Sequence, residues 1–252
     1  MSKLFSFQGG VWSGERLASG KLSRPVWAGN VPALSLKLST DSTNKVESFS
    51  GKRLQYGRLQ KGTTAQLDIT FDEWLPKNIA LAIWASQVAL SADTVTGELL
   101  EADLAANDFV KLDGQFVSSL VLTDSNPTPA TLVAGTDYRI ESETSGLIQL
   151  LNVTGKTQPF KAAYATEAAE AFTMFTSAPP ERYILLDGIN TETNEPVIVT
   201  LYRCKFDPVS DLAFINDDYG SFQLSGSVLY DELNAADDEL GGFGRIVQKA
   251  AA

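Results

Sequence analysis

The 252-residue chain carries 20 basic and 31 acidic side chains, a formal net charge of −11, with 44% hydrophobic residues, 10% aromatics and no histidine. Such a chain has enough apolar material to fold as one large β-domain or as a domain with a smaller insert. The absence of histidine excludes Ser–His and Cys–His nucleophiles and the commonest metal ligand, and a lone cysteine, Cys204, excludes an internal disulfide or a Cys-based zinc site.

The first residues, 1–32, are rich in Gly and Ser around isolated aromatics (Phe5, Phe7, Trp12, Trp27), which predicts an extended amino-terminal arm anchored by those rings. Regular structure is expected from residue 33. Leu34, Leu36 and Leu38 alternate with polar partners and predict a strand, which the polar stretch Thr40–Ser50 separates from the next. Thr63–Phe71 alternates most cleanly, with Ala65, Leu67, Ile69 and Phe71 on one side, as in an antiparallel sheet with one wet face. Pro76 opens a helix expected to run to Ser86, capped by Asp72 or Asn78, with Leu75, Ile79 and Ile83, or Leu81 and Trp84, facing the core. These elements make 33–91 the first part of a β-domain.

Residues 92–168 predict an inserted β-region: Val110–Leu112, Phe116–Leu122, Tyr138–Ile140, Leu147–Val153 and Phe160–Ala165 are short strands between turn signals. The second part of the β-domain, 169–232, holds strands at Arg182–Asp187, Pro196–Phe206 and Gly220–Tyr230. In the second of these, Ile198, Tyr202, Cys204 and Phe206 are expected to share a face. Val197, Val199 and Leu201 opposite give way to Arg203 and Lys205, as if the strand leaves a two-sided core. Residues 233–252 read as a second mobile arm, acidic at Asp237, Asp238 and Glu239.

Little here points to chemistry. Cys204 sits mid-strand on an apolar face, as a buried hydrophobe does. The adjacent acids Asp72/Glu73, Asp217/Asp218 and Asp237/Asp238 would point to opposite faces of a strand, so they read as caps and turns. Neither Asn216–Gly220 nor Asp237–Gly242 has calcium-loop spacing, and the glycine pairs open no strand–turn–helix phosphate cradle. No metal or other cofactor is expected. Phe172, Phe175, Trp74 and Trp84 read as core. No apolar run reaches the ~18–20 residues of a spanning helix, and Met1–Gly10 lacks the apolar stretch of a secretion signal, so a soluble protein made in the cytoplasm is expected, without a membrane partner.

Charge is distributed unevenly. Residues 1–61 carry ten basic and three acidic side chains, and all the remaining acids follow. Lys45, Lys52, Arg53, Arg58 and Lys61 are spaced along the chain with Phe49 and Tyr56 between them, a pattern closer to a protein-facing loop than to a base-stacking nucleic-acid arm.

In order along the chain, Gly29–Leu36, Glu47–Arg53, Asn78–Ala82, Ala134–Ile140, Gly146–Leu150, Arg182–Asn190, Phe206–Pro208 and Gly226–Asp231 resemble the major tail tube proteins of long-tailed bacteriophages. The resemblance implies a mainly β fold, an antiparallel β-sandwich or partial barrel with one flanking α-helix, shared with contractile-tail and type VI secretion tubes. It implies a non-enzymatic virion subunit assembled in the host cytoplasm. Six copies join sheets into a ring, rings stack into a conduit for the genome, and the long early loop and terminal arms clip successive rings. The partners implied are further copies of the chain, a tape-measure protein, a tail terminator and a distal tail protein, with DNA passing unbound along an acidic lumen. The charge split fits contacts between rings in which Lys45, Lys52, Arg53, Arg58 and Lys61 meet Asp237, Asp238 and Glu239 of a neighbour. Other readings are a different virion ring protein, or a carbohydrate-binding β-sandwich. The last needs a line of exposed aromatics on one sheet, and the strands as read leave few.

Overall fold

A computed structural model describes residues 4–249, and the chain divides into two compact units, Met1–Ser86 with Phe172–Ala252, and Gln87–Ala171. The second unit runs a few residues beyond the 92–168 marked in the sequence at either end. In chain order come β1 (Phe7–Arg16), β2 (Leu22–Trp27), β3 (Ala33–Val46), β4 (Gln55–Phe71), α1 (Pro76–Ala82) and β5 (Ser86–Leu90). Then follow β6 (Asp93–Leu99), β7 (Phe109–Lys111), β8 (Val117–Thr123), β9 (Tyr138–Ser142), β10 (Leu147–Leu150), β11 (Lys161–Thr166) and β12 (Ala169–Thr173). The chain ends with β13 (Arg182–Asn190), β14 (Glu195–Phe206), β15 (Phe222–Val228), α2 (Glu232–Ala235) and β16 (Gly244–Gln248). The architecture is mainly β and its named strand pairs are antiparallel.

The first unit is an eight-stranded sheet in the order β2-β1-β13-β14-β15-β4-β3, with β16 also on β14. Both expected arms are therefore built into it. β1 pairs with β13 from Phe7 to Glu15, and β16 pairs with Val197–Leu201. Glycine in the amino-terminal segment reads as flexibility, but here it permits close approach: a Cβ on Gly9 would lie 2.2 Å from the Asp187 carbonyl oxygen, and one on Gly14 2.4 Å from the Leu22 side chain. The extreme ends of the two expected arms, 1–3 and 250–252, lie outside the described residues.

Period-two alternation puts Ala65, Leu67, Ile69 and Phe71 of β4 beside Val228, Leu224 and Phe222 of β15, all buried on one face. The same buried cluster takes in Val11 of β1 and Ile79, Leu81 and Ala82 of α1 together with Ile83 just after it. Strands near both sides of the sheet thus share one core with the helix. α1 is shorter than expected and differently capped. Its N-cap is Leu75, with no side-chain bond, while Asn78 donates to the Ala28 carbonyl at 2.8 Å and Asp72 accepts from Asn30. It stops at Ala82 because Trp84 turns left-handed (φ 50°), and the Ile83 and Trp84 carbonyls accept from the amides of Phe175 and Ser177.

The face pattern of β14 also differs from the sequence reading. Arg182 pairs with Cys204 but Ile184 pairs with Leu201, so β14 carries one extra residue, a β-bulge. The bulge switches parity: Leu201, Cys204 and Phe206, with Val199, all face the same core. Tyr202 falls on the opposite face, its ring 5.8 Å from that of Tyr183. The strand keeps one core face throughout.

The second unit pairs β6-β11-β8 and β7-β10-β9 as two three-stranded sheets with a separate core that includes Leu112, Leu122, Ile148, Leu150 and Phe160. Two buried acids fix its loops. Asp124 accepts from the Ala130 amide at 2.7 Å and the Asn126 side chain at 2.6 Å, and Asp137 from the Val133 amide at 2.8 Å. Backbone hydrogen bonds hold both carboxyls below the ordinary range. β5 and β12, on which the chain runs between the two units, pair with one another.

Candidate functional site

The polar stretch Thr40–Ser50 does not interrupt β3. The strand continues to Val46 and β4 begins at Gln55, so fourteen and seventeen residues form one long hairpin in register from Ala33/Thr70 to Val46/Gln55. Only the base of this hairpin meets the core. From Gln55 to Thr64, β4 has no buried residue, and Leu38, Val46, Phe49, Leu54, Tyr56 and Leu59 are all exposed, Phe49 by 80%. Polar residues that bury nothing have no periodicity to follow, and a ladder of cross-strand pairs carries them outward instead.

The tip is nevertheless ordered. Glu47 is only 6% exposed, and its carboxylate accepts from the Ser50 hydroxyl and from the amides of Phe49 (2.8 Å), Ser50 (2.9 Å) and Leu54 (3.3 Å). The Ser50 hydroxyl and these amides draw its pKa down to about 2. Phe49 and Tyr56 meet edge to face, with ring centroids 6.2 Å apart.

Lys45, Lys52, Arg53, Arg58 and Lys61 all lie on this hairpin, exposed, and none is in an ion pair among the described residues. They do not form one face. Lys45 opposes Gly57 and Arg58 opposes Asn44, which puts these two on opposite sides of the ladder. Lys52 and Arg53 sit at the tip and Lys61 at a register shift. Lys37 is different, since it pairs with Asp68 at 2.5 Å, and Asp68 also accepts from Ser225 at 2.6 Å.

Asp237, Asp238 and Glu239 are exposed on a turn after α2, where Asp237 accepts from the Glu239 amide at 2.9 Å. This turn is anchored rather than mobile. Asp231 is completely buried and receives Arg16 through two bonds, Nε at 2.7 Å and Nη2 at 2.8 Å. The same carboxylate caps α2 through the Leu233 and Asn234 amides and accepts the Asn234 side chain at 3.0 Å. The Arg16 hydrogen bonds lead in pulling its pKa down to about 2. A second pair, Arg203 with Glu181, also holds the Tyr230 carbonyl, and the Tyr202 hydroxyl donates to the Leu240 carbonyl at 2.8 Å.

A further surface lies at the base of the hairpin, where sequence reasoning saw only turns and core. Loop 207–221 is tied to α1 by the Val209 amide on the Ala82 carbonyl at 2.7 Å and by Leu212 packing on the core. It then exposes Phe214, Ile215 (94%) and Tyr219 (99%). Trp74, expected in the core, is exposed and meets the Phe214 ring edge-on at 6.3 Å; Phe175 is exposed as well, while Trp84 is half-buried. Asp72, Glu73, Trp74, Leu212, Ala213, Asn216 and Phe222 are among the residues lining a shallow depression of about 200 Å³. The loop contributes Asp207, Asp211, Asp217 and Asp218 and no basic residue.

Exposed aromatics are thus numerous, contrary to the sequence reading: Trp12 and Trp27 lie opposite each other on β1 and β2, and others are spread over the hairpin, the second unit, this loop and positions 175 and 230. Cys204 is buried, and burial pushes its thiol far up, away from reactivity. Among the described residues, no three or more His, Cys, Asp or Glu side chains are grouped to hold a metal ion, and no helix is long and apolar enough to cross a membrane.

A family model described as "Protein of unknown function UCP028589" matches residues 4–247, and the chain belongs to that family. The curated proteins contain no match.

Proposed function

We propose that this member of a family of unknown function is a structural, non-enzymatic subunit of a phage tail tube, whose copies join into six-membered rings that stack into a hollow conduit for the genome. The observation that carries this reading is the β3–β4 hairpin. Its outer half keeps a ladder of backbone bonds and leaves Val46, Phe49, Leu54, Tyr56 and Leu59 in water, with only Glu47 enclosed, by its own loop. Ordering that many residues costs roughly 1–2 kcal/mol each, and a hairpin without a packed face is marginal alone. Such a segment is accounted for if another copy covers it.

The sheet edges agree. β3 ends the sheet order on one side and β2 on the other, and β3 offers fourteen residues of edge, a long unpaired edge being a template for further pairing. Joining edges between copies removes both, and six-fold closure makes a finite ring. The sequence resemblance supplies the number six, the stacking and the further partners: tape-measure protein, tail terminator and distal tail protein.

Negative-stain electron microscopy of the purified chain, concentrated stepwise, tests the reading. Annular particles and hollow tubes are the expected result. Isolated rings that never stack would favour a single-ring virion component, and a monomer at every concentration by sedimentation would refute self-assembly.

A further inference from the structure

We propose that the hairpin tip of one copy docks on the acidic, aromatic face formed by loop 207–221 and Asp72–Trp74 of a second copy; this inference rests on the tube-subunit reading and names the surface that would receive the hairpin.

Charge complementarity is the first argument. The hairpin, residues 33–64, carries six basic and two acidic side chains, and Lys52 and Arg53 at its tip have no carboxylate within ion-pair distance among the described residues. Asp72 and Glu73 line the depression, and loop 207–221 adds the exposed Asp211, Asp217 and Asp218. Asn30 donates to one oxygen each of Asp72 and Glu73, and Asp72 is exposed.

Apolar surface is the second. Phe49 stands out at the tip beside Leu54 and Tyr56, while Trp74, Phe214, Ile215 and Tyr219 stand out around the depression. The depression, about 200 Å³ over Phe222 and Leu212, has room for one aromatic side chain. Aromatics at the centre with ion pairs at the rim is the usual division of labour in a protein interface.

Position is the third. The tip and the receiving face lie at opposite ends of the same strand, β4, whose seventeen residues extend roughly 50 Å at about 3.3 Å each. A hairpin cannot fold back along its own strand to reach Asp72, so the two surfaces can meet only between copies. A contact joining opposite ends of one element can repeat head to tail, and between rings whose members all point one way it builds a stack.

The test compares the full chain with two double variants, Lys52→Glu with Arg53→Glu and Asp217→Lys with Asp218→Lys, and with all four changes together. The readouts are light scattering and electron microscopy, with circular dichroism to show that each variant is folded. All four positions are exposed. Each double variant is expected to raise the concentration at which stacks appear by at least about tenfold, since it adds repulsion as well as removing attraction, and the charge-swapped combination to restore it. Phe214→Ser gives a charge-independent check and is expected to weaken stacking likewise. Tubes that form at the wild-type concentration in all these variants would overturn this docking site and leave the tube reading intact. A wild-type chain that stays monomeric would sink both.

Discussion

Replacing Asp231 by alanine tests whether the carboxyl-terminal segment is locked to its own sheet. The carboxylate is fully buried, its bidentate partner Arg16 is 17% exposed, and it also caps α2 and accepts Asn234. Removing one partner of a buried pair costs about 3–5 kcal/mol, of which cap loss is one component of about 1 kcal/mol. Arg16 can regain some water at its exposed edge, so the low end, about 3 kcal/mol, is expected. In a chain of this size each kcal/mol moves Tm by about 2–4 °C, which gives a fall of roughly 6–12 °C at pH 7. Asp231→Asn, which keeps an acceptor for the cap and loses the charge, should fall between. Calorimetry measures the shift, and hydrogen exchange at Gly244–Gln248 localises it. The pH dependence has a fixed sign. Asp231 has its pKa lowered from 3.8 to about 2, chiefly by Arg16, so its stabilisation is present above about pH 4 and is lost as the pH falls through about 2. The gap between wild type and Asp231→Ala should narrow over that window. A Tm change under about 2 °C with unchanged exchange in β16 would refute the reasoning.

Two further outcomes concern the hairpin and the proposed conduit. Glu47→Ala should leave global melting almost unchanged, because its loop meets no core, but should speed tryptic cleavage after Lys52 and Arg53 severalfold; an unchanged rate would mean that Glu47 does not order the tip. In the wild type the same ordering should be present above about pH 4.5 and fade as the pH falls toward 2. Purified protein should give no mobility shift with duplex DNA at moderate salt, since its net charge is −11 and the hairpin cations do not share one face. A salt-dependent shift would argue against passive passage of DNA.

Where one face of a strand is buried, period two made it readable: Ala65–Phe71 and Phe222–Val228 stand as the alternation predicts. Three signals misled for physical reasons. Glycines at 9 and 14 look alike whether they loosen a linker or let two backbones approach, and only the pairing with β13 and β2 separates the cases. Thr40–Ser50 has no apolar rhythm because most of this stretch meets no core, and neighbouring backbone alone makes it a strand as far as Val46. On β14 the bulge near Tyr202 shifts parity by one, so a strict alternation assigns the right residues to the wrong faces.

The candidate surface was readable only in half. Five hairpin cations follow from counting charges, which needs no fold. Their proposed receiver does not, because Asp72–Trp74 and 207–221 stand far apart in sequence and meet only where the adjacent β4 and β15 reach the same edge of the core, with Phe71 opposite Phe222. That placement changes the meaning of the acidic excess. Asp237–Glu239 sit on a turn that Asp231 and Arg16 hold fixed, whereas Asp211, Asp217 and Asp218 share loop 207–221 with the exposed rings of Phe214 and Tyr219. Ion pairs at an exposed site contribute only about 0.2–1 kcal/mol each, so acids next to buriable apolar area have more to gain from a basic, apolar-tipped partner than acids on a bare turn. The same hydrophobic area that the hairpin withholds from its own core is what makes the loop at the far end of β4 the better match.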